Sequence, residues 1–333
     1  MRLRHIFFFL ALVAIVVLAI IQFGQFQKFI EVLKSVNIFV LLLVVGLRYV
    51  YYWANTKYFQ AYLHNFKHDI PFRILFNDIV TMNFANTVFP SGGLSGVAIL
   101  RGRLRKHKVS AHTTTVAQGF WYGFTGLSFV VLLLFSLLLL FVSNRIEQVS
   151  FRLIMIMLIL LLVGAIISAA LILNRRILEK FAYYMTRPTN WILNRFHRNS
   201  LGKEQLHELI SKLYETLAEF RNNWRLLIRP FWWCFLTLVI DIASLYMVFI
   251  AFGVTPNPGV VVAAFLIALL ASMLSIFTSG IGIYEIGMVA ILVGLGLSFD
   301  VSFSASVVYR IIALWLFLPI GLYFYKRTML DEK

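Results

Sequence analysis

Residues 275–310 read SIFTSGIGIYEIGMVAILVGLGLSFDVSFSASVVYR, and this stretch combines helix-breaking glycines with charged residues. Its apolar start is broken at 278–282, an acid, Glu285, follows closely, and a base, Arg310, lies inside the next apolar run. The flanks are almost wholly aliphatic and aromatic, which predicts that lipid surrounds them. An ionisable group at membrane depth costs roughly 2.5–3.5 kcal/mol on insertion scales, so it is expected to face a protein interior or cavity and to have a partner. The neighbouring glycines allow a broken helix whose free backbone groups line that cavity.

The composition predicts an all-α polytopic membrane helix bundle. Hydrophobic residues make up 61% of the 333 positions and charged residues only 13%. A β-barrel would need alternating segments of about ten residues, whereas the apolar runs here are unbroken and of helical length. The net charge of +16 must concentrate in loops and ends, which points to anionic lipid headgroups. The sequence contains no nucleic-acid recognition module, and its single cysteine, Cys234, excludes an intramolecular disulfide.

Apolar runs predict six full spans and two interrupted regions, or about 6–8 membrane crossings. The first run is read as an uncleaved span because no small-residue cleavage site follows it. Basic residues cluster before the first span, after the second, after the first interrupted region and in the tail, so by the positive-inside rule both termini are expected in the cytoplasm. The predicted spans are 5–23, 37–54, 113–142, 152–173, 231–252 and 302–325, and the interrupted regions are 74–100 and 259–298.

The first interrupted region, 74–100, carries cytoplasmic charge at both ends, so it must enter and leave the membrane on one side. Its arms of about 15 and 10 residues are too short to cross a hydrocarbon core of ~30 Å. This predicts a re-entrant helical hairpin whose tip is formed by Pro90, Ser91, Gly92 and Gly93. The alternative is an ordinary interfacial loop.

The second interrupted region, 259–298, begins and ends outside on the same charge count. Its arms of about 19 and 17 residues are long enough to cross, so a pair of full spans fits equally well. A hairpin is favoured because VFPSGG at 88–93 resembles IFTSGI at 276–281. The two hairpins then open to opposite sides, which predicts that 74–142 and 259–325 form an inverted repeat.

Residues 174–229 form a basic segment between two spans. Apolar residues recur every three to four positions from Leu206 to Phe220, the pattern of a helix with one apolar stripe. We expect a cytoplasmic amphipathic elbow that lies on the lipid headgroups, or else a solvated helical loop packed on the other cytoplasmic helix ends. The whole chain, 1–333, is interpreted as a single transmembrane domain that includes this elbow.

The strings NTVFPSGGLSG at 86–96 and GIGIYE at 280–285, together with Tyr309 and Arg310, resemble a known family. It is the transmembrane-domain family of lysylphosphatidylglycerol synthases and flippases, and the resemblance covers most of the chain. It implies a flippase-like inner-membrane protein that moves an amphiphilic lipid between leaflets, in some members an aminoacylated phosphatidylglycerol. The second break is poorer in proline and paired glycine than the family pattern. The chain ends at Lys333 with no soluble aminoacyl-transferring domain, so synthase activity is not expected.

Glu285 and Arg310 are the leading candidates for a substrate site. The planar guanidinium matches the oxygens of a lipid phosphate, and the acid can release the phosphate when it is protonated or when the arginine pairs with it again. Helix-depth arithmetic predicts that the two side chains lie in direct or one-water contact. The alternative is a purely structural buried ion pair, since buried ionisable groups generally occur as pairs.

Residues at the two breaks complete the predicted substrate site. Helix starts at Leu94 and Ile283 would present N–H groups and a positive dipole end to an anion, or the glycines before them only permit tight turning. Asn83 and Asn86 lie on adjacent helical turns and either line a polar path or satisfy nearby backbone groups. The predicted substrate-binding set is Asn83, Asn86, Pro90, Ser91, Gly92, Gly93, Gly280, Gly282, Glu285 and Arg310.

Other polar residues carry weaker predictions. Arg48 and Asp241 lie in apolar runs, but Arg48 is discounted because it is close enough to the predicted cytoplasmic end to snorkel. His64 and His68 are interpreted as solvated, since no third ligand accompanies them. The sequence contains no nucleophile triad, P-loop or dinucleotide motif, so no cofactor, metal or enzymatic activity is predicted.

The main functional prediction is a translocase for an anionic or amphiphilic lipid. One alternative is a non-catalytic partner subunit that presents a lipid substrate to a separate transferase, with the elbow 174–229 as its docking surface. Another is an intramembrane enzyme that uses Glu285. The expected partners are membrane lipids with anionic headgroups, and a transferase or a second copy of the chain.

Overall fold

The computed structural model describes residues 36–88, 94–143, 223–273, 280 and 282–330, together with scattered positions between 159 and 215. The continuous ranges contain nine α-helices and one π-helical turn, and no strand, which confirms the all-α prediction. The elements are α1 (Ile38–Asn65), α2 (Phe72–Val88), α3 (Leu94–Arg105), α4 (Ala111–Val142), α5 (Arg225–Ala251), α6 (Pro258–Met273), α7 (Ile283–Gly294), α8 (Phe299–Arg310), the π turn (Ile311–Trp315) and α9 (Leu318–Leu330).

Four helical runs in the described ranges are long and apolar enough to cross a membrane: α1, α4, α5 and Phe299–Arg327. They correspond to four of the predicted spans and confirm a polytopic membrane protein. The predicted spans 5–23 and 152–173 lie outside the described residues, except for isolated helical positions at 159 and 163. Most of the elbow also lies outside them.

Helices α1 and α5 pack along one another and form the centre of the bundle. Their adjacent ends are joined where the Asn37 N–H donates to the Ala251 carbonyl at 2.9 Å, so the two helices run antiparallel. The Asn37 side chain also accepts from the backbone of Phe39 and so caps the start of α1. Helix α5 begins at Arg225, before the start at 231 that the apolar run predicted for this span.

Helix α1 extends to Asn65, well past the predicted boundary at 54. Asn55 and Thr56 follow that boundary directly. Both residues are buried, and the Thr56 hydroxyl donates to the Tyr52 carbonyl of its own helix at 2.8 Å. A hydroxyl that bonds its own helix needs no water, so these polar residues do not end the helix.

Helices α2 and α3 form a hairpin, as the sequence predicts for 74–100, and not a loop. Their 17 and 12 residues correspond to ~25 and ~18 Å of helix. Just below the tip the arms are joined by two hydrogen bonds: the Ser95 hydroxyl to the Ala85 carbonyl at 3.0 Å, and the Gly96 N–H to Asn86 Oδ1 at 2.8 Å. A Cβ at Gly96 would lie 2.3 Å from Asn86 Oδ1, so glycine is required for this close approach.

Helices α6 and α7 form the second hairpin. Helix α7 is bounded by described residues on both sides, and its 12 residues correspond to ~18 Å, so this arm does not reach across a core of ~30 Å. The described part of α6 has 16 residues, or ~24 Å. The arms pack directly on one another, with the Gly287 position facing Ala271. The geometry therefore favours the hairpin over a pair of full spans.

Each hairpin packs against a long helix that follows the other hairpin: α4 contacts α6, and α9 contacts α2. The Ser136 hydroxyl of α4 donates to the Gly259 carbonyl of α6 at 2.7 Å. On the other side, a Cβ added at Gly321 of α9 would lie 2.4 Å from the Cβ of Phe84. The inverted repeat of 74–142 and 259–325 stays a prediction.

Candidate functional site

The break before α7 is built from glycines with left-handed backbone. Gly280 has φ +62° and Gly282 has φ +88°, conformations that L side chains rarely adopt. A Cβ at Gly280 would also lie 2.4 Å from the Cβ of Ser272, so the returning chain passes close to α6. Gly282 caps α7, and its N–H donates to Glu285 Oε2 at 2.7 Å. One carboxylate oxygen of Glu285 is thus occupied by the backbone of the break itself.

The other carboxylate oxygen of Glu285 pairs with Arg310 of α8. Arg310 Nε donates to Glu285 Oε1 at 2.7 Å, which confirms the predicted direct contact. The guanidinium carbon of Arg310 also lies 4.5 Å from the centre of the Tyr284 ring, a cation–π contact. The Arg310 and Glu285 side chains are 13% and 21% exposed, so the pair is mostly enclosed but not sealed.

A second ion pair joins the two central helices, where Arg48 of α1 donates to Asp241 Oδ1 of α5. The Arg48 guanidinium lies 3.9 Å from the centre of the Tyr51 ring. The prediction that Arg48 snorkels to the cytoplasmic side was wrong, because α1 continues for another ~26 Å to Asn65. The signal that could have found the pair was one charge of each sign in two long apolar runs.

Tyrosines bring the two ion pairs together. The Tyr309 hydroxyl donates to Asp241 Oδ1 at 3.2 Å, and Tyr309 is the neighbour of Arg310 on α8. Tyr284, whose ring contacts Arg310, is likewise the neighbour of Glu285 on α7. Helix α8 therefore supplies one member of the Arg310–Glu285 pair and one hydrogen bond to the Arg48–Asp241 pair.

The four charged residues lie at nearly the same depth. At about 1.5 Å per residue, Arg48 is ~15 Å from the start of α1 and Asp241 is ~15 Å from the end of α5. Arg310 is ~16 Å from the start of α8, and Glu285 is ~14 Å from the end of α7. With these helix ends at the edge of a core of ~30 Å, this depth is the midplane. We call Arg48, Asp241, Glu285 and Arg310 the midplane layer.

Comparison with known proteins places the chain in a family. A family model described as the lysylphosphatidylglycerol synthase TM region matches residues 6–321. The chain belongs to this family. The resemblance seen in the sequence is confirmed, and the midplane layer lies wholly within the matched region of this family member.

Two similar proteins are UPF0104 membrane proteins of Methanothermobacter thermautotrophicus. One is 28% identical over 148 residues, which are 40% of this chain and 41% of the relative. The other is 33% identical over 100 residues, which are 29% of this chain and 30% of the relative. The matched stretches therefore span less than half of the length of either relative.

In this lysylphosphatidylglycerol synthase TM family member, the first hairpin holds an ion pair that sequence reasoning missed. Arg103 Nε of α3 donates to Asp78 Oδ1 of α2, and the two side chains are 15% and 3% exposed. The sequence analysis counted Arg103 among the loop charges that follow the hairpin. It lies instead on the last turn of α3 and fixes the two arms to each other.

The asparagines of the first hairpin make local contacts. Asn83 Nδ2 donates to the Ile79 carbonyl of its own helix at 3.0 Å, and Asn86 Oδ1 accepts from Gly96 at the start of α3. Asn86 therefore holds an N–H that an anion at this helix start would otherwise use. Pro90, Ser91, Gly92 and Gly93 lie outside the described residues.

The described histidines form no metal cluster. His64 Nδ1 lies 2.7 Å from Asp69 Oδ1, and the two side chains are 63% and 80% exposed. Across the described ranges no group of three histidine, cysteine, aspartate or glutamate residues could hold a metal ion.

Proposed function

We propose that the protein moves an anionic or amphiphilic lipid, such as a phospholipid or a lipid-linked precursor, between the leaflets of the cytoplasmic membrane. The observation that carries this proposal is the Arg310–Glu285 pair. It lies in the midplane layer, directly beside a glycine break in a hairpin, and is partly exposed. The energetic barrier to moving a lipid across a bilayer is the loss of water around its headgroup, so a polar site at mid-depth is what a translocase needs.

The chemistry of the pair suits a phosphate group. Arginine presents parallel N–H donors that match two phosphate oxygens, and its charge persists at membrane depth. When the headgroup arrives, Arg310 can exchange its contact with Glu285 Oε1 for a contact with phosphate. The contact between Glu285 Oε2 and the Gly282 N–H does not take part in this exchange, so α7 keeps its cap.

The exchanged packing of the hairpins supports access from both sides. Helix α2 packs on α9 and α6 packs on α4, so each hairpin lies against a long helix that follows the other one. The predicted inverted repeat of 74–142 and 259–325 would give the protein two related states that open to opposite sides. Asn83 and Asn86 would then line the cytoplasmic approach to the site, opposite Gly280 and Gly282.

The proposed orientation places both termini in the cytoplasm of a multi-pass protein. It rests on the basic residues that follow α3 and on those near the end of α9. It also agrees with the uncharged connection from Thr255 to Gly259, which follows the end of α5 as an outer loop would. The joined ends at Asn37 and Ala251 would then mark the outer side.

The test is lipid exchange in liposomes with a panel of fluorescent lipids whose headgroups differ in charge. Arg310→Lys keeps the positive charge but loses the parallel N–H donors of the guanidinium. Transport of a phosphate-bearing lipid should therefore fall by a factor of roughly 10 to 100, the equivalent of one charge-assisted hydrogen bond. Arg101→Lys, at an exposed position on α3, is the matched control and should exchange lipid at the wild-type rate. A folded Arg310→Lys protein with the wild-type rate would mean that the ion pair is structural.

A further inference from the structure

The midplane layer is electrically neutral when no lipid is bound. Arg48 and Arg310 supply two positive charges, and Asp241 and Glu285 supply two negative ones. At membrane depth an uncompensated charge costs several kcal/mol, so the layer is stable only while this balance holds. A phosphate monoanion that enters the layer breaks the balance by one negative charge.

The two acids of the layer differ in what they can release. Asp241 Oδ1 accepts from both Arg48 and the Tyr309 hydroxyl, and the Arg48 side chain is only 9% exposed. That pair fastens α1, α5 and α8 together. Glu285 holds Arg310 with one oxygen and Gly282 with the other, and its side chain is 21% exposed. The acid that can lose its arginine without uncoupling two long helices is therefore Glu285.

We propose that each phosphate-bearing lipid crosses together with one proton, and that Glu285 binds this proton. The proposal rests on the proposed function. A phosphate oxygen replaces Glu285 Oε1 at Arg310 Nε, and the vacated Oε1 takes a proton from water on the side of entry. Oε2 continues to accept from the Gly282 N–H. On the far side the phosphate leaves, Glu285 returns its proton to water, and Arg310 pairs with Glu285 again. The site with lipid and proton bound carries no net charge, like the empty site.

Among the described residues around Glu285, no other acid could take this role directly. The titratable groups beside it are Arg310 of α8, which donates to it, and Tyr284, its neighbour on α7. Helix α6, Pro258–Met273, has no titratable residue in its sequence. Behind Tyr309 lie Asp241 and Arg48, already paired with one another. The other acid of α8, Asp300, lies at the opposite end of that helix, ~15 Å from Arg310.

The experiment compares two driving forces on the purified protein in liposomes with a trace of tail-labelled fluorescent phosphatidylglycerol. With a pH difference of one unit and no membrane potential, cotransport of one proton should enrich the probe about tenfold in the leaflet on the alkaline side. With a potential of about 100 mV and equal pH, cotransport should give no enrichment, whereas transport of the bare anion would give a ratio of roughly fifty. Protein-free vesicles measure the leak of protonated lipid.

Variants assign the proton to a residue. In Glu285→Gln the response to the pH difference should fall from about tenfold to none, and a response to the potential should emerge, because the lipid now crosses alone. Asp300→Asn, the control on α8, should keep the tenfold ratio.

Each outcome decides a different point. Wild-type exchange that follows the potential and ignores the pH difference would overturn proton coupling and leave the translocase standing. An undiminished pH response in Glu285→Gln would overturn the assignment to this residue. The absence of protein-dependent exchange in every vesicle would overturn the proposed function itself. Should Glu285→Gln fail to fold, the wild-type comparison of the two driving forces still decides the coupling.

Discussion

Removing Arg48 should be among the most destabilising single substitutions in this protein. Among the described residues, Arg48→Ala leaves the Asp241 carboxylate, whose side chain is 15% exposed, with the Tyr309 hydroxyl as its remaining hydrogen-bond donor. Breaking a buried ion pair from one side costs about 3–5 kcal/mol. The lost cation–π contact to Tyr51, at 3.9 Å, adds ~1–2 kcal/mol. We therefore expect the free energy of unfolding to fall by about 4–7 kcal/mol.

The assay is reversible unfolding in mixed micelles with increasing SDS. Trp53 of α1 and Trp233 of α5 have ring centres 5.0 Å apart, so tryptophan fluorescence reports the separation of the two helices that the ion pair joins. Helical circular dichroism gives a second, independent measure. Arg101→Ala is the control, since a substitution at an exposed position should change the free energy of unfolding by less than about 0.5 kcal/mol.

A combined variant separates the ion pair from its surroundings. Arg48→Met with Asp241→Leu and Tyr309→Phe removes both charges and the hydroxyl that donates to Asp241. Its stability should return to within ~1–2 kcal/mol of the wild type, or exceed it, as for other buried pairs replaced by apolar residues. If Arg48→Ala costs less than ~1 kcal/mol, or if the triple variant is less stable than Arg48→Ala, the reasoning about an enclosed pair is refuted.

Two further predictions test the packing and the orientation. Gly321→Ala should lower the free energy of unfolding by about 1–3 kcal/mol, because its Cβ would lie 2.4 Å from that of Phe84. Gly123→Ala, with open space around the added Cβ, is the control and should be neutral or slightly stabilising. Unfolding in SDS measures both variants, and equal effects would contradict the close contact of α9 with α2. Single cysteines at the exposed positions Lys106 and Thr255 should react with a membrane-impermeant thiol reagent from opposite sides, Thr255 from outside intact cells and Lys106 only after lysis. An external Lys106 would contradict the entry side of the first hairpin.

The sequence sufficed for the main elements because hydrophobic run length and glycine breaks are local properties. The apolar runs predicted four of the helical spans that the structure describes. The break at 278–282 predicted where α7 begins, and helix depth brought Glu285 to Arg310. These inferences need only residues near one another in the chain and a constant rise per residue.

The remaining contacts depend on which helices become neighbours, and this is not local. The predicted span 37–54 stops just before Asn55 and Thr56, yet both residues are buried in the bundle and α1 continues to Asn65. Arg103 was predicted to lie in a loop because it belongs to a basic cluster, yet α3 extends to this residue and places its side chain against Asp78. In both cases neighbouring helices enclose polar or charged side chains that the sequence pattern alone would place in water.

The three mostly enclosed ion pairs of the described bundle also show why pairing alone does not identify a functional site. Asp78–Arg103 and Arg48–Asp241 each join two helices within unbroken helical stretches, so exchanging either partner would separate elements that pack along their length. Glu285 is different, because it lies on the first turn after a glycine break, and its second oxygen holds the start of its own helix. Its arginine can therefore leave without loss of the local fold. A site that must bind a charged headgroup and release it requires such an exchangeable partner, and this property distinguishes Arg310–Glu285 from two pairs of similar chemistry.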